Sequence, residues 1–250
     1  MDIAERTLQL KTDFDEVYEA GKKAEHSDFW DVFQSNGNRT NYYRAFANHN
    51  SASTALGWNS ITFRPKYDLK PSTAPQGFMW LQIGDFDAHL KECGIIFDTS
   101  KCDSLQQAFQ SATITVFPTL HLKDDVKVEN MFNLCSKLTT IRKIIFEINT
   151  DASLSYAFSG CSKLANIEAV EGTIPISVSF SSSPLSIQSL KNIISCLKDY
   201  TGDSEYTCTV TFKSSEFSAL EAEGATAEYN GVACTWAELI DNKKWNLVKG

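Results

Sequence analysis

The sequence predicts an α/β protein in which a short, irregular solenoid of strand-and-turn repeats follows an N-terminal helical segment and precedes an α/β C-terminal cap. Three observations lead to this prediction: a heptad pattern at the start of the chain, an internal repeat in its middle, and helix and strand patterns at its end. We divide the 250 residues into an N-terminal helix (1–26), an aromatic-rich segment (27–77), a repeat region (78–185) and the C-terminal cap (186–250).

The N-terminal helix is predicted from apolar residues that recur at alternating steps of four and three, which is the spacing of a coiled-coil seam. Two interpretations stay open. The helix docks on its own domain, or it joins copies of the chain as a short coiled coil. Light scattering on the full chain and on a chain starting near Ser27 separates the two, because only a coiled coil loses subunits on truncation. The oligomerisation residues are then Ile3, Leu10, Phe14 and Val17.

The segment that follows is rich in aromatic residues and contains a turn signal at Asn36-Gly37. Large side chains concentrated in so short a segment favour a compact core over an exposed ligand platform.

The repeat region carries the most specific pattern in the chain. Its motif Phe132-x2-Cys135-x2-Leu138-x2-Ile141 recurs 26 residues later as Phe158-x2-Cys161-x2-Leu164-x2-Ile167. A weaker copy has Phe109 in register, with Ala112 at the cysteine position, and Cys102-x2-Leu105 keeps part of the pattern. A period of 23–26 residues lies within the range of leucine-rich repeats. Stacked copies would align these side chains in ladders through the core. Apolar runs predict strands at 114–117, 144–148 and 174–180.

The C-terminal cap alternates helix and strand signals. A helix is predicted from Ser186 or Ser189 to about Tyr200, and a second from Ser214 or Ser215 to Gly224. Further predictions are a strand at 206–212, a capping box at 235–238 and a final strand at 245–248.

Composition excludes several classes of function. With 23 Lys+Arg against 31 Asp+Glu, the net charge is −8, which argues against nucleic-acid binding. The longest apolar runs are far shorter than a membrane span, so no membrane insertion is expected. The N-terminus lacks the pattern of a signal peptide, which predicts synthesis in a cytosol with the seven cysteines reduced.

No motif of a known catalytic, metal or cofactor site occurs in the sequence, so the chain is expected to be non-enzymatic and to bind no cofactor. The four histidines are dispersed. Asp85 and Asp87 with His89 form a small patch that we interpret as a solvated loop; those carboxylates are the candidates if the protein is an enzyme that acts on cell walls. Binding determinants are expected on the strand face of the repeats, at Thr113, Thr115, Lys143, Phe146, Ile148 and Ser177.

Two resemblances add to this interpretation. Residues 157–164 (Ala-Phe-Ser-Gly-Cys-Ser-Lys-Leu), with Ile167 beyond them, resemble the repeat of the BspA-type leucine-rich-repeat family, and the likeness covers roughly residues 95–185. The N-terminal segments 17–23, 29–31, 33–34, 36–40 and 65–67 resemble the opening of proteins from phages and prophages of gut-dwelling Gram-positive bacteria.

These resemblances imply a virion-associated or prophage-borne protein that binds a protein or glycan on a bacterial surface. A structural accessory of a phage tail or baseplate, which contacts other virion proteins, is the alternative. Proteins of the BspA type are usually secreted, whereas a virion protein needs no secretion signal because lysis releases it.

Overall fold

The computed structural model describes residues 68–250 except 80, 82 and 204–206. The predicted N-terminal helix with Ile3, Leu10, Phe14 and Val17, and the aromatic-rich segment up to residue 67, lie outside the described residues and stay predictions. The described part is a mixed α/β structure with four helices and parallel sheets.

Helices and strands alternate irregularly along this part of the chain. The helices are α1 (Phe86–Cys93), α2 (Ile187–Ser195), α3 (Ser214–Glu221) and α4 (Trp236–Asn242). The strands are β1 (Val116–Leu122), β2 (Thr140–Glu147), β3 (Asn166–Thr173), β4 (Val178–Phe180), β5 (Cys208–Phe212), β6 (Ala227–Tyr229), β7 (Val232–Cys234) and β8 (Trp245–Lys249).

The first sheet has the order β1-β2-β3 and is parallel throughout. Each paired residue of β2 lies opposite the residue 26 positions later in β3, as Ile141 does with Ile167. The period of the sequence repeat is therefore also the register of the sheet. The two copies of the motif lie side by side.

A column of stacked phenylalanine rings crosses the core. Successive ring centroids are 4.8, 5.7, 6.0, 4.7, 6.3 and 5.8 Å apart, and the rings lie within 25° of parallel. Such aromatic pairs stabilise by about 0.5–1.5 kcal/mol each beyond the effect of burial. The column consists of Phe78, Phe109, Phe132, Phe158, Phe180, Phe212 and Phe217.

The column corrects the predicted set of copies. Phe78 precedes Phe109 in it, and the interval between them is long because helix α1 is inserted. Leu105 is not a motif leucine: its N–H donates to Lys127 O at 2.8 Å, and the next copy repeats this contact from Val128 to Ser153. The partial motif that starts at Cys102 is therefore not a separate copy.

The cysteines of the motif make backbone contacts between copies. Cys135 Sγ donates to Phe109 O at 2.8 Å, and Cys161 Sγ donates to Phe132 O at 3.2 Å. All seven cysteines of the chain are described, and none forms a disulfide. The motif leucines and isoleucines of both copies are also buried.

The strand after the second motif is displaced from its predicted place. Residues 174–177 are not strand, because Pro175 has no N–H and its carbonyl accepts from Tyr200 Oη at 2.5 Å. Strand β3 precedes them and escaped prediction, since exposed polar residues such as Glu168 and Glu171 interrupt its apolar pattern. Likewise β1 runs from Val116 to Leu122 and only overlaps the predicted 114–117.

The C-terminal elements agree better with prediction. Ser186 caps α2, and Thr235 and Glu238 form the predicted capping box of α4. Helix α3 begins at Ser214, and β5 and β8 occupy the predicted strand positions. Helix α2 ends at Ser195 rather than near Tyr200, because the chain turns to form a parallel bridge between Leu197 and Ile174.

Helix α2 covers the edge of β3. Ser189 Oγ accepts from Ile167 N at 2.8 Å, and Asn192 Nδ2 donates to Ile167 O and Glu168 O, both at 3.1 Å. An open strand edge leaves polar backbone groups without partners. Two side chains of α2 thus take the place of a fourth strand.

Lys243 caps the C-terminal end of α2. Its ammonium group donates to the carbonyls of Ser195 at 2.9 Å and Leu197 at 2.8 Å.

Replacement of Leu164 tests the buried motif. Leu164 is fully buried, so Leu164→Ala is expected to lower the free energy of unfolding by about 2–5 kcal/mol through lost burial and a cavity. Chemical denaturation measures the change. Leu134→Ala is the control, because Leu134 is exposed and its loss is expected to change stability by less than about 0.5 kcal/mol. Equal stability of the two variants would contradict the packing described here.

The motif cysteines predict alkaline sensitivity. Burial raises the pKa of the Cys135 thiol to about 12, above the 9.0 of an exposed thiol, so the folded chain keeps a proton that the unfolded chain releases. This stabilisation is complete below about pH 8.5 and is lost as the pH rises toward 12, by about 1.4 kcal/mol per unit for one thiol.

The variant Cys135→Ala isolates this effect, because Ala112 already occupies the same position in the preceding copy. Denaturation between pH 8 and 10.5 is expected to show a smaller loss of stability in the variant than in the original protein. Parallel pH curves would show that this thiol does not titrate on unfolding.

Candidate functional site

The structure separates the six residues predicted to bind a ligand. Thr113 and Thr115 are half-buried before β1, and their N–H groups donate to Leu81 O and Gly84 O. Lys143 lies in β2 and forms an ion pair of 2.6 Å with Glu171. Ser177 is exposed beside the other sheet, where its Oγ accepts from Thr209 N at 2.9 Å. These positions lie on different elements and form no common site.

The remaining two residues, Phe146 and Ile148, do not belong to the strand surface. They are 3% and 9% exposed and pack inward, so the expectation that both stand exposed on the strand face is wrong. Side chains alternate between the two faces of a strand, so Phe146 and Ile148 lie on the face opposite to the exposed Glu147. Phe146 also pairs with Gly172, where an added Cβ would lie 2.0 Å from Phe146 O.

The outer face of the first sheet is charged, and its charges are paired with one another. His121 lies 2.7 Å from Glu147, and Arg142 lies 2.7 Å from Glu168. Together with the Lys143 pair, these contacts link neighbouring strands. Exposed pairs of this kind add only about 0–1 kcal/mol each. The charged side chains on this face are nevertheless already bonded to one another, so a ligand would have to compete with these ion pairs.

The acidic patch near His89 lies in helix α1 rather than in a loop, which corrects that expectation. Asp85 is the N-cap of the helix and accepts from Ala88 N at 2.8 Å. Asp87 is buried and accepts from Lys91 at 2.7 Å and from Arg142 at 3.3 Å, so it ties α1 to β2. Both carboxylates therefore have structural partners. Among the described residues, no three His, Cys, Asp or Glu side chains are grouped as metal ligands.

The second sheet, of order β4-β5-β8, presents a different outer face. Side chains alternate along a strand, and the buried members are Val178, Phe180, Cys208, Val210 and Phe212. The outward residues carry hydroxyl, amide or apolar side chains and no charge. We call these residues, Ser179, Thr209, Thr211, Asn246 and Val248, the hydroxyl face.

A groove of about 300 Å³ adjoins the hydroxyl face. We call it the Tyr156 groove. It joins the last turn of the repeats to strand β4, and Ser179 belongs both to it and to the hydroxyl face. The described residues that line it are Ser155, Tyr156, Ser159, Ser179 and Ser181.

Tyr156 has an unusual conformation for its residue type. It is 70% exposed, and its φ of 55° lies in the left-handed region. The residues two positions before Phe78, Phe109 and Phe132 have φ of 55–56° as well; they are Gln76, Gln107 and Asn130. The repeat therefore imposes the conformation, and a bulky residue there costs roughly 1–3 kcal/mol. Because the ring of Tyr156 is mostly exposed, it contributes little hydrophobic free energy to folding. A contribution to stability therefore does not explain a tyrosine at this position.

The groove rests on rigid structure. Asn130 N donates to Ser155 O at 3.0 Å, and Leu134 N donates to Ser159 O at 2.8 Å. The next ring along the chain, Phe158, is stacked between Phe132 and Phe180. Bonds from the preceding copy and the aromatic column thus hold both sides of Tyr156 in place, and its ring is presented without a flexible loop.

Sequence reasoning missed Tyr156, although a signal was available. Aligning the two copies places Tyr156 opposite Asn130, so a turn-forming residue is replaced by an aromatic one. The sequence predicts binding determinants on the strands, whereas Tyr156 lies in a turn, so the difference between Tyr156 and Asn130 carries no weight in that prediction. The serines gave no signal, because their convergence depends on how the turn meets strand β4.

Comparison of the chain with family models, with curated proteins and with solved structures found no match. No helix of the described residues is long and apolar enough to cross a membrane.

The conformation of Tyr156 predicts a stabilising substitution. Tyr156→Asn is expected to raise the free energy of unfolding by about 0.5–1 kcal/mol, because asparagine adopts the left-handed region more readily than tyrosine. Chemical denaturation provides the measurement. Tyr156→Phe is the control, since it keeps the strained ring and should leave stability unchanged. A loss of stability in Tyr156→Asn would mean that the ring contributes to the fold.

Proposed function

We propose that the protein is a non-enzymatic recognition protein of a phage or prophage, which presents a repeat-built surface to a protein or glycan on a bacterial cell. The observation that carries the proposal is Tyr156, an exposed aromatic ring in an unfavourable backbone conformation beside a preformed groove. Residues that lower stability without an evident structural role concentrate at functional sites. Exposed tyrosines also commonly anchor recognition surfaces.

The proposal includes the architecture. We propose a short leucine-rich-repeat-like solenoid, and the 26-residue register of β2 and β3 supports this interpretation. The column of stacked rings supports it as well, because Phe132 stacks on Phe109 of the preceding copy and on Phe158 of the following copy, and contact between neighbouring copies is typical of repeat proteins. A solenoid suits recognition because it offers an extended surface that is fixed in shape.

The phage or prophage origin depends on the resemblance of the N-terminal segments, and association with a virion is part of the same proposal. In this scheme the N-terminal helix attaches the protein to a particle or joins copies of it. Joined copies would bind a cell surface more tightly than a single copy, since their sites act together.

Retention on bacterial cell walls tests the proposed function. The full chain is expected to bind purified walls from at least one strain in a panel of gut Gram-positive bacteria. Tyr156→Ala is expected to lower binding at least about tenfold, which corresponds to the loss of roughly 1.4 kcal/mol of contact energy. The amount of protein that sediments with the walls is the readout.

Lys143→Ala is the matched control for this experiment. It removes an outward side chain on the paired face of the first sheet, and we expect wall binding within about twofold of the original protein. Equal binding of Tyr156→Ala and the original protein would contradict this location of the site. Absence of wall binding by any variant, with co-purification of the protein with phage particles, would replace recognition by the role of a tail or baseplate accessory.

A further inference from the structure

We infer that the Tyr156 groove binds an uncharged saccharide, whose ring lies on the Tyr156 ring and whose hydroxyl groups bond to the serines of the groove. This inference rests on the proposed function and names the chemical class of its ligand. Three features of the described residues support it: the composition of the groove, its lack of charge, and its continuation onto the hydroxyl face.

The composition of the groove matches the two surfaces of a sugar. A pyranose ring has an apolar face of C–H groups, which the electron-rich face of an exposed aromatic ring attracts. Its edge carries hydroxyl groups, which both donate and accept hydrogen bonds, as serine hydroxyls do. One aromatic ring, Tyr156, and four serines line the groove, so both kinds of contact are available within about 300 Å³.

The serine hydroxyls keep capacity for a ligand. Ser179 Oγ bonds weakly to Ser181 Oγ at 3.4 Å, and Ser155 Oγ accepts from Ser153 Oγ at the same distance. A hydroxyl offers one donor and two acceptor positions, so these long contacts do not saturate the groups. A sugar hydroxyl can therefore replace or supplement them.

The lack of charge selects against other ligands. The described residues that line the groove include no Lys, Arg, Asp or Glu, whereas the outer face of the first sheet carries several of each sign. A phosphate or carboxylate ligand would need a cationic partner to replace its hydration. An apolar peptide would need a wider hydrophobic surface than one ring provides. An uncharged saccharide needs neither.

The hydroxyl face extends the groove across the second sheet. Ser179 pairs with Thr211, which pairs with Val248, and Thr209 pairs with Asn246. Adjacent strands are about 4.8 Å apart, so these side chains continue an uncharged and largely polar track for about 10 Å beyond the groove. An oligosaccharide anchored at Tyr156 would run along this track, with further contacts from the threonines.

An array of purified oligosaccharides that holds uncharged, phosphorylated and uronic-acid members tests the inference. The full chain is expected to bind one or more uncharged members, and binding should change less than twofold between 50 and 500 mM salt, because no ion pair contributes. Tyr156→Phe should bind within threefold of the original protein, since it keeps the ring face. Tyr156→Ala should bind at least tenfold more weakly, while Lys143→Ala should be unaffected.

Treated cell walls separate failure of this inference from failure of the proposed function. Periodate cleaves the diols of sugars, and protease removes wall proteins. Loss of binding after periodate but not after protease supports a saccharide ligand. Loss after protease alone, or binding confined to anionic array members, overturns the inference and leaves the recognition role in place. Absence of binding to untreated walls and to the whole array overturns both.

Discussion

A backbone contact that recurs from copy to copy governs the described structure. The N–H groups of Phe78, Phe109 and Phe132 each donate to a carbonyl of the following copy at 2.8 Å, and their rings stack in the same order. Both interactions need the same axial spacing between copies, so a slip by one residue would lose them together. The parallel pairing of β1, β2 and β3 obeys the same spacing from the opposite side. Helix α1 is inserted between the copies of Phe78 and Phe109, and the two rings still stack at 4.8 Å.

This register fixes backbone conformation as well as side-chain packing. The turn enters the left-handed region two residues before Phe109, Phe132 and Phe158, at Gln107, Asn130 and Tyr156. It does so again two residues after them, at Ser111, Leu134 and Gly160. Only Gly160 is free of the resulting strain. At the other positions a non-glycine residue adopts this unfavourable backbone conformation. Asparagine conforms to the backbone preference at position 130, whereas tyrosine opposes it at 156. This difference is one reason for placing the proposed site at Tyr156.

The sequence predicted the parts of the structure that depend on local signals. The caps of Ser186 and Thr235, the strand at β8 and the burial of the motif cysteines follow from residue type and spacing within a few positions. The strand after the second motif escaped prediction, because its outward side chains are polar and α2 supplies its missing neighbour. The candidate site escaped for a related reason. The serines of the Tyr156 groove come from a turn and from β4, and only the tertiary arrangement brings them together.

The two outer faces differ in charge, and this difference is the reason why we place the proposed recognition site on the turns rather than on the strands. On the first sheet, cross-strand pairs such as Arg142 with Glu168 and Lys143 with Glu171 neutralise one another, and a ligand would have to break them before it could bind. The described residues of the Tyr156 groove and of the hydroxyl face include no charged side chain, so a ligand there displaces only water and weak contacts between hydroxyl groups. Hydrogen bonds from the preceding copy and the stacked ring of Phe158 hold the turn of Tyr156 on both sides, and a preformed site loses less entropy on binding. A site built from uncharged groups on a rigid turn can therefore discriminate by shape and hydrogen bonding, in a chain whose acidic surface would repel anionic partners.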